Sequence, residues 1–233
     1  AAGALTAVAR RVPVAAQVEL PGTVESQTRV TVTAKVPAHV RKVLVSAGTL
    51  VRAGQELVLL DDREMAEQSA AAQAQLRLAE AEFERTRSLH EARAATAQQL
   101  LAAETGRDAA LAQVERAHVM RGYARIVSPI DGVVTDRRVE RGDIAAPGQV
   151  LLAVYDPARM RLEVPVPTRL TASLSPGQQV EVVLSDPERT SSGRVAEIVS
   201  EIDPSSRTQT VRVLLDDPTG LRPGALPCRG RRY

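Results

Sequence analysis

The stretch Ser46–Asp62, SAGTLVRAGQELVLLDD, recurs as Glu140–Asp156, ERGDIAAPGQVLLAVYD, with a segment of different character between the copies. Laid over each other, Gly48 meets Gly142, Leu50 meets Ile144, Gly54 meets Gly148, Gln55 meets Gln149, Leu57 meets Leu151 and Asp62 meets Asp156. A unit this short buries too little surface to fold alone. Two copies packed face to face share one core, provided that the segment between them starts and ends in the same place. Gly48, Gly54, Gly132, Gly142 and Gly148 are expected to be the turn glycines of the two halves, where positive φ or close backbone approach is needed.

The intervening segment changes abruptly at Asp61–Asp62. From Arg63 to Gly122 there is no proline, and the good helix formers Ala, Glu, Gln, Arg and Leu dominate. Asp62 is placed to cap a first helix. Met65, Ser69, Ala72, Leu76, Ala79, Phe83, Thr86 and His90 follow a 4-3 spacing, a seam of mostly small residues that lets a second helix approach closely. A weaker seam runs through Leu100, Ala103, Ala110, Val114 and Ala117, with Arg107 interrupting it, and Thr96 with Gln99 forms a capping-box signature at its start. The pattern predicts an antiparallel helical hairpin whose arms of roughly 26–30 residues reach about 40–45 Å.

Outside the hairpin the chain reads as short strands. Residues 1–33 alternate Val and Thr with polar residues, and MRLEVPVPT, QQVEVVLSD, SGRVAEIVSEID and TQTVRVLLDD follow residue 156, separated by turn signals. The expected fold class is mainly β with an α-helical coiled-coil hairpin: a split lipoyl-like β-sandwich plus an antiparallel β-barrel, elongated and multidomain. The boundaries expected are 1–33 for N-terminal strands with membrane-proximal and barrel contributions, 34–62 and 124–156 for the lipoyl-like halves, 63–123 for the hairpin and 157–233 for the barrel. Hinges are expected near 33, 62, 123 and 157.

These features together resemble the periplasmic adaptor, or membrane fusion protein, family of tripartite efflux pumps. The resemblance rests on the two GQ half-motifs, the inserted hairpin, RIVSPIDGVV (Arg125–Val134), the strand-rich segment and LRPG (Leu221–Gly224), and it covers roughly residues 15–224. Ala38 stands where the family usually has glycine. The family continues with a further barrel strand and a return to a membrane-proximal domain where this chain reads ALPCRGRRY, so that part is expected to be missing here. The resemblance implies a periplasmic bridge between an inner-membrane transporter (RND or ABC) and a TolC-like outer-membrane channel, exporting drugs or other small molecules. It implies side-by-side self-association, hexameric in the assembled pump, and an inner-membrane anchor through an N-terminal lipid or helix preceding Ala1. An ABC-type exporter or a type I secretion system is the alternative partner, although secretion adaptors have longer hairpins. In channel-docking members the tip resembles R-x3-L-x6-S, a spacing occupied here by Arg85, Leu89 and Thr96. The plainer reading of these residues is a solvated helix charge, a contact near the turn and a helix cap.

Other chemistry finds little footing. A lipoyl or biotin carrier displays its modified lysine where the halves join, but the only lysines are Lys35 and Lys42, and segment 63–123 has none. No cofactor is expected. His39, His90 and His118 lie far apart, and no His/Cys/carboxylate group has metal-ligand spacing, so neither catalysis nor a metal site is expected. With a net charge of +2 and only Phe83, Tyr123, Tyr155 and Tyr233 as aromatics, no nucleic-acid surface is indicated. Cys228 is the single cysteine, so no internal disulfide forms.

Overall fold

The computed structural model describes residues 18–185, 188–219, 221 and 223–231. In chain order these carry β1 (Glu19–Ser26), β2 (Arg29–Thr33), β3 (Ala38–Val43), β4 (Leu50–Val51), β5 (Glu56–Leu60), α1 (Arg63–Glu91), α2 (Ala97–Gly122), β6 (Arg125–Val127), β7 (Gly132–Arg137), β8 (Ile144–Ala145), β9 (Val150–Tyr155), β10 (Met160–Pro167), α3 (Thr168–Thr171), β11 (Gln179–Ser185), β12 (Glu188–Asp203), β13 (Thr208–Leu215) and β14 (Gly224–Arg231). They divide into two compact units, one running from Thr28 to Asp156 and the other built from the described residues on either side.

In the first unit, one sheet has the order β2-β9-β7-β4 and the other β6-β5-β3-β8. Exchanging β2 with β6, β3 with β7, β4 with β8 and β5 with β9 converts one order into the other, so the sequence repeat is a pseudo-dyad of the fold. The hydrogen bonds obey it. Gly48 N donates to Val134 O at 2.8 Å and Gly142 N to Val40 O at 2.9 Å; Gly54 N donates to Ser128 O at 2.8 Å and Gly148 N to Ala34 O at 2.9 Å. Each half is therefore completed by the other. The core pairs by the same rule: Leu57 with Leu151, Val58 with Leu152, Val40 with Val134 and Val45 with Val139, all buried.

The four loop glycines have φ between +81 and +96, the left-handed region that a Cβ disfavours. Gly54 and Gly148 sit in identical turns, in which the Gln side-chain oxygen takes the amide three residues back (Arg52 and Ala146, both 2.9 Å). A third such turn occurs in the barrel unit, where Gly177 has φ +87 and Ser175 N donates to Gln178 Oε1 at 3.3 Å. Gly132 is not a turn glycine. It begins β7, and a Cβ there would lie 2.2 Å from Tyr155 O. Its dyad mate is Ala38, which fits, so the dyad is broken here by the closeness of β9.

One expected boundary moves. β2 belongs to the sandwich rather than to an N-terminal segment ending at 33: it pairs with β9 and lays Val32 in the core, and the break falls after Gln27. β1 enters the second unit, a closed barrel of order β1-β10-β13-β12-β11-β14. The last barrel strand is thus not missing. β14 pairs with both β1 and β11 and closes the ring, which removes two open edges at once. The expected strand around residues 4–20 lies mostly outside the described residues. Val24, Leu162, Val164, Val182, Leu184 and Val213 fill the barrel interior.

Candidate functional site

The hairpin is rooted by adjacent aspartates with different tasks. Asp62 occupies the N-cap position of α1, but at ψ 8 its carboxylate makes no cap bond and instead accepts from Arg121 Nε at 3.1 Å, tying the start of α1 to the end of α2. Asp61 performs the capping: Oδ1 accepts from Arg63 N at 3.2 Å and Oδ2 pairs with Arg63 Nη2 at 2.6 Å. The side-chain bond from Arg63 holds the Asp61 carboxyl down to about 2.

Along the arms, of 29 and 26 residues, the seam lies where the spacing placed it. Every α1 seam residue from Met65 to His90 is buried or half-buried, and so are Leu100, Ala103, Arg107, Ala110, Val114 and Ala117 on α2. Arg107 joins the seam instead of breaking it. Its guanidinium lies 4.4 Å from the centre of the Phe83 ring, and Nε and Nη2 donate to Asp108 Oδ1 at 3.0 and 2.7 Å. Phe83 is the bulkiest side chain of a small-residue seam, and the flat cation covers it.

At the far end, Arg93 adopts φ +59 and ends the first helix. The ring Nδ1 of His90, whose proton assignment follows from its partner, donates to Ala95 O at 2.9 Å and closes the loop. Thr96 completes a reciprocal capping box: Gln99 N donates to Thr96 Oγ1 at 3.2 Å, and Thr96 N donates to Gln99 Oε1 at 2.8 Å. The Thr96 hydroxyl also donates to Gln99 Oε1 at 3.1 Å.

The three expected tip residues therefore differ. Arg85 and Leu89, one turn apart, share an exposed face of α1. Leu89 is 45% exposed, and Arg85 is ion-paired with Glu82, whose carboxyl is lowered by that side-chain bond. The hydroxyl of Thr96 is committed to its own helix. His90 and Arg107, which shape the tip and the shaft, stood in the sequence only as the end of one seam and an interruption of the other, without these roles. The signal for Arg107 was its seam phase; for His90 there was none beyond its place at the seam's end. Among the described residues no group of three or more His, Cys, Asp and Glu is arranged to hold a metal ion.

A barrel-sandwich split by a helical hairpin, followed by a closed barrel, is the build of a membrane fusion protein. The family described as the CzcB-like, barrel-sandwich hybrid domain matches residues 28–156, and the CusB-like, beta-barrel domain matches residues 161–227. The chain belongs to this family, the CusB/CzcB-like periplasmic adaptors of efflux systems, whose members are not enzymes. It is 31% identical over 187 residues to the nickel-cobalt-cadmium resistance protein NccB of Alcaligenes xylosoxydans xylosoxydans, covering 75% of this chain and 47% of the relative. It is 30% identical over 192 residues to the nickel and cobalt resistance protein CnrB of Cupriavidus metallidurans, covering 77% and 48%. The chain thus spans about half the length of these curated relatives. Its fold resembles a MacA–MexA chimera carrying the Pseudomonas aeruginosa MexA α-hairpin, with TM-score 0.85 at 24% identity over 92% of this chain and 80% of that one. Among the described residues no helix is long and apolar enough to cross a membrane.

Proposed function

We propose that the chain forms the core of a periplasmic adaptor that bridges an inner-membrane transporter of the RND type to a TolC-like outer-membrane channel, with several copies, six in the assembled pump, packed around a common duct. The observation that carries this reading is the hairpin: two arms with a one-sided seam, rooted by the Asp62–Arg121 pair and ending in a loop fixed by four local bonds. A rigid shaft with an exposed, shaped tip suits end-on docking. Arg85 and Leu89 are the presenting groups, a fork of donors beside an apolar knob. Thr96 acts one step back, by shaping the loop.

The cargo inferred is a divalent transition-metal cation, in place of the drugs or other small molecules that the resemblance implied. Similarity to two proteins named for nickel and cobalt resistance supports this. The described residues offer no ligand cluster, which suits a conduit wall whose cargo is selected by the transporter. The test is growth of a strain in which the full-length gene is replaced by Arg85→Asp/Leu89→Asp, on graded nickel, cobalt and cadmium and separately on ethidium. Loss of metal tolerance with normal protein level is expected. Unchanged tolerance to everything would remove the tip assignment, and selective loss of ethidium tolerance would remove the metal assignment.

A further inference from the structure

The sandwich has two opposite flanks, because β2 and β6 end the two sheets on one side and β4 and β8 end them on the other. On the first flank, both end strands border one cavity of about 440 Å³. Its wall is apolar, from Val30, Val32, Ile126 and Val127, and its rim is cationic, from Lys35 and Arg125. Val127 is 43% exposed. Lys35 Nζ stands 4.7 Å from the Tyr123 ring centre at the foot of α2, and Arg125 reaches only a weak, solvent-exposed contact with Glu56 at 3.6 Å.

The other flank is different in sign. Beside β8 and the first turn of α1 lies a second cavity, of about 580 Å³, bordered by Ile144, His39, Met65, Glu64 and Glu67. Ile144 is 64% exposed on its end strand. Among the described residues that border it the one arginine, Arg63, is already engaged by Asp61, which leaves Glu64 and Glu67 in excess around this cavity.

A basic apolar groove on one side and an acidic flank with an apolar knob on the other complement each other, but neither complements itself. We infer that the β2/β6 groove is the docking surface for a second copy of this chain, which inserts the Ile144 side of its β8/α1 flank head-to-tail, with Glu64 and Glu67 answering Lys35 and Arg125. An arrangement that pairs like with like would set Lys35 and Arg125 against their own copies. Each end strand is paired on one side only among the described residues, so its outer edge adds backbone donors and acceptors to the contact. A head-to-tail contact repeats: each copy gives one flank and receives the other, and the chain of copies closes into a ring when the rotation permits. The inference rests on the adaptor reading and adds which surfaces meet and in which polarity.

The test uses this chain with Cys228→Ser as background. Val127→Cys and Ile144→Cys, placed together and oxidised, are expected to give a ladder of cross-linked species beyond the dimer, while either alone gives none. Dimers from either single variant in the yield of the pair would overturn the head-to-tail polarity, and no cross-link in any variant would overturn the interface. Charge reversal gives a second measurement that needs no thiol. Lys35→Glu/Arg125→Glu and Glu64→Lys/Glu67→Lys should each weaken association by about tenfold in sedimentation. Their equimolar mixture should recover it, since each variant's reversed flank then meets its complement. A mixture no better than either variant alone overturns the inference. Both experiments are done without channel or transporter, so their failure is separate from failure of the resistance assay.

Discussion

Thr96 offers the sharpest separation between shaping the tip and touching a partner. Thr96→Ala removes the acceptor for Gln99 N, at 3.2 Å, and leaves the reciprocal bond from Thr96 N to Gln99 Oε1, at 2.8 Å, in place. Loss of one N-cap side chain costs about 1 kcal/mol. The amide concerned lies in the first turn of α2, so the loss appears as local opening there. By the usual conversion, about 1 kcal/mol is roughly a fivefold faster exchange of the Gln99 amide. Global melting should move little. Thr96→Ser and Thr96→Asp both keep a cap, and Asp adds a charge that suits a helix N-terminus, so both should hold the exchange rate near that of the parent. The resistance assay then divides the readings. If Thr96 only shapes the loop, Asp behaves as the parent does and Ala loses function in step with its exchange. Fast exchange in Thr96→Asp, or unchanged exchange in Thr96→Ala, would refute the capping argument itself. Normal exchange with lost resistance in Thr96→Asp would show that the hydroxyl meets the channel directly.

Gly132→Ala places a methyl 2.2 Å from Tyr155 O, a backbone atom with no rotamer to escape into, so about 3 kcal/mol or more is expected, near 10 °C in melting temperature. Gly148→Ala faces open space and strains only its φ of +83, so it should lose about 1 kcal/mol; a larger loss there than at Gly132 contradicts the assignment. Arg107→Ala removes the guanidinium from Phe83 and should lower the melting temperature of the hairpin, with Lys recovering less than half of the loss because it lacks the flat face; equal melting of Lys and Arg forms speaks against stacking. Asp61, held at about 2 by Arg63, is depressed relative to an unfolded carboxylate near 3.9. The Asp61–Arg63 link is therefore fully present above about pH 4 and is lost as pH falls through about 2. A carboxyl titration by NMR with its midpoint near 4 would exclude that pairing.

Much of the fold is legible because the strongest signals are local. Glycine followed by glutamine at matched spacing encodes a turn whose bonds close within four residues, and small residues at 4-3 spacing encode a seam. The departures arise where position relative to a distant strand decides. Asp131-Gly132 reads as a turn, yet Asp131 Oδ1 accepts from Ala53 N in the other half at 2.9 Å, and Gly132 is set by the carbonyl of Tyr155. Asp61 and Asp62 are indistinguishable as letters, and the backbone angle at Asp62 alone assigns the cap to its neighbour. β14 contains Pro227 and Gly230 and shows no alternation; two open barrel edges, not its composition, make it a strand. Arg107 looks like an interruption until Phe83 is known to face it.

The energetics of the tip bear on why such a chain would work in multiple copies. The Arg85–Glu82 pair is exposed and three residues apart, so solvent screens it and a partner carboxylate can take the guanidinium at little loss. Covering the open half of Leu89 adds about 1 kcal/mol. Set against the several kcal/mol lost on immobilising any partner, one such tip does not hold a channel. Copies fixed side by side face that loss once and sum their tips, which multiplies affinity without any new contact. Docking and self-association are then coupled. Weakening the β2/β6 groove should lower channel engagement even though the groove belongs to the sandwich at the other end of the arms from the tip, whereas a tip variant should leave copy-to-copy association unchanged. An intact ring with lost docking, and lost docking through a lost ring, are distinct outcomes that the charge reversals and the tip substitutions produce separately.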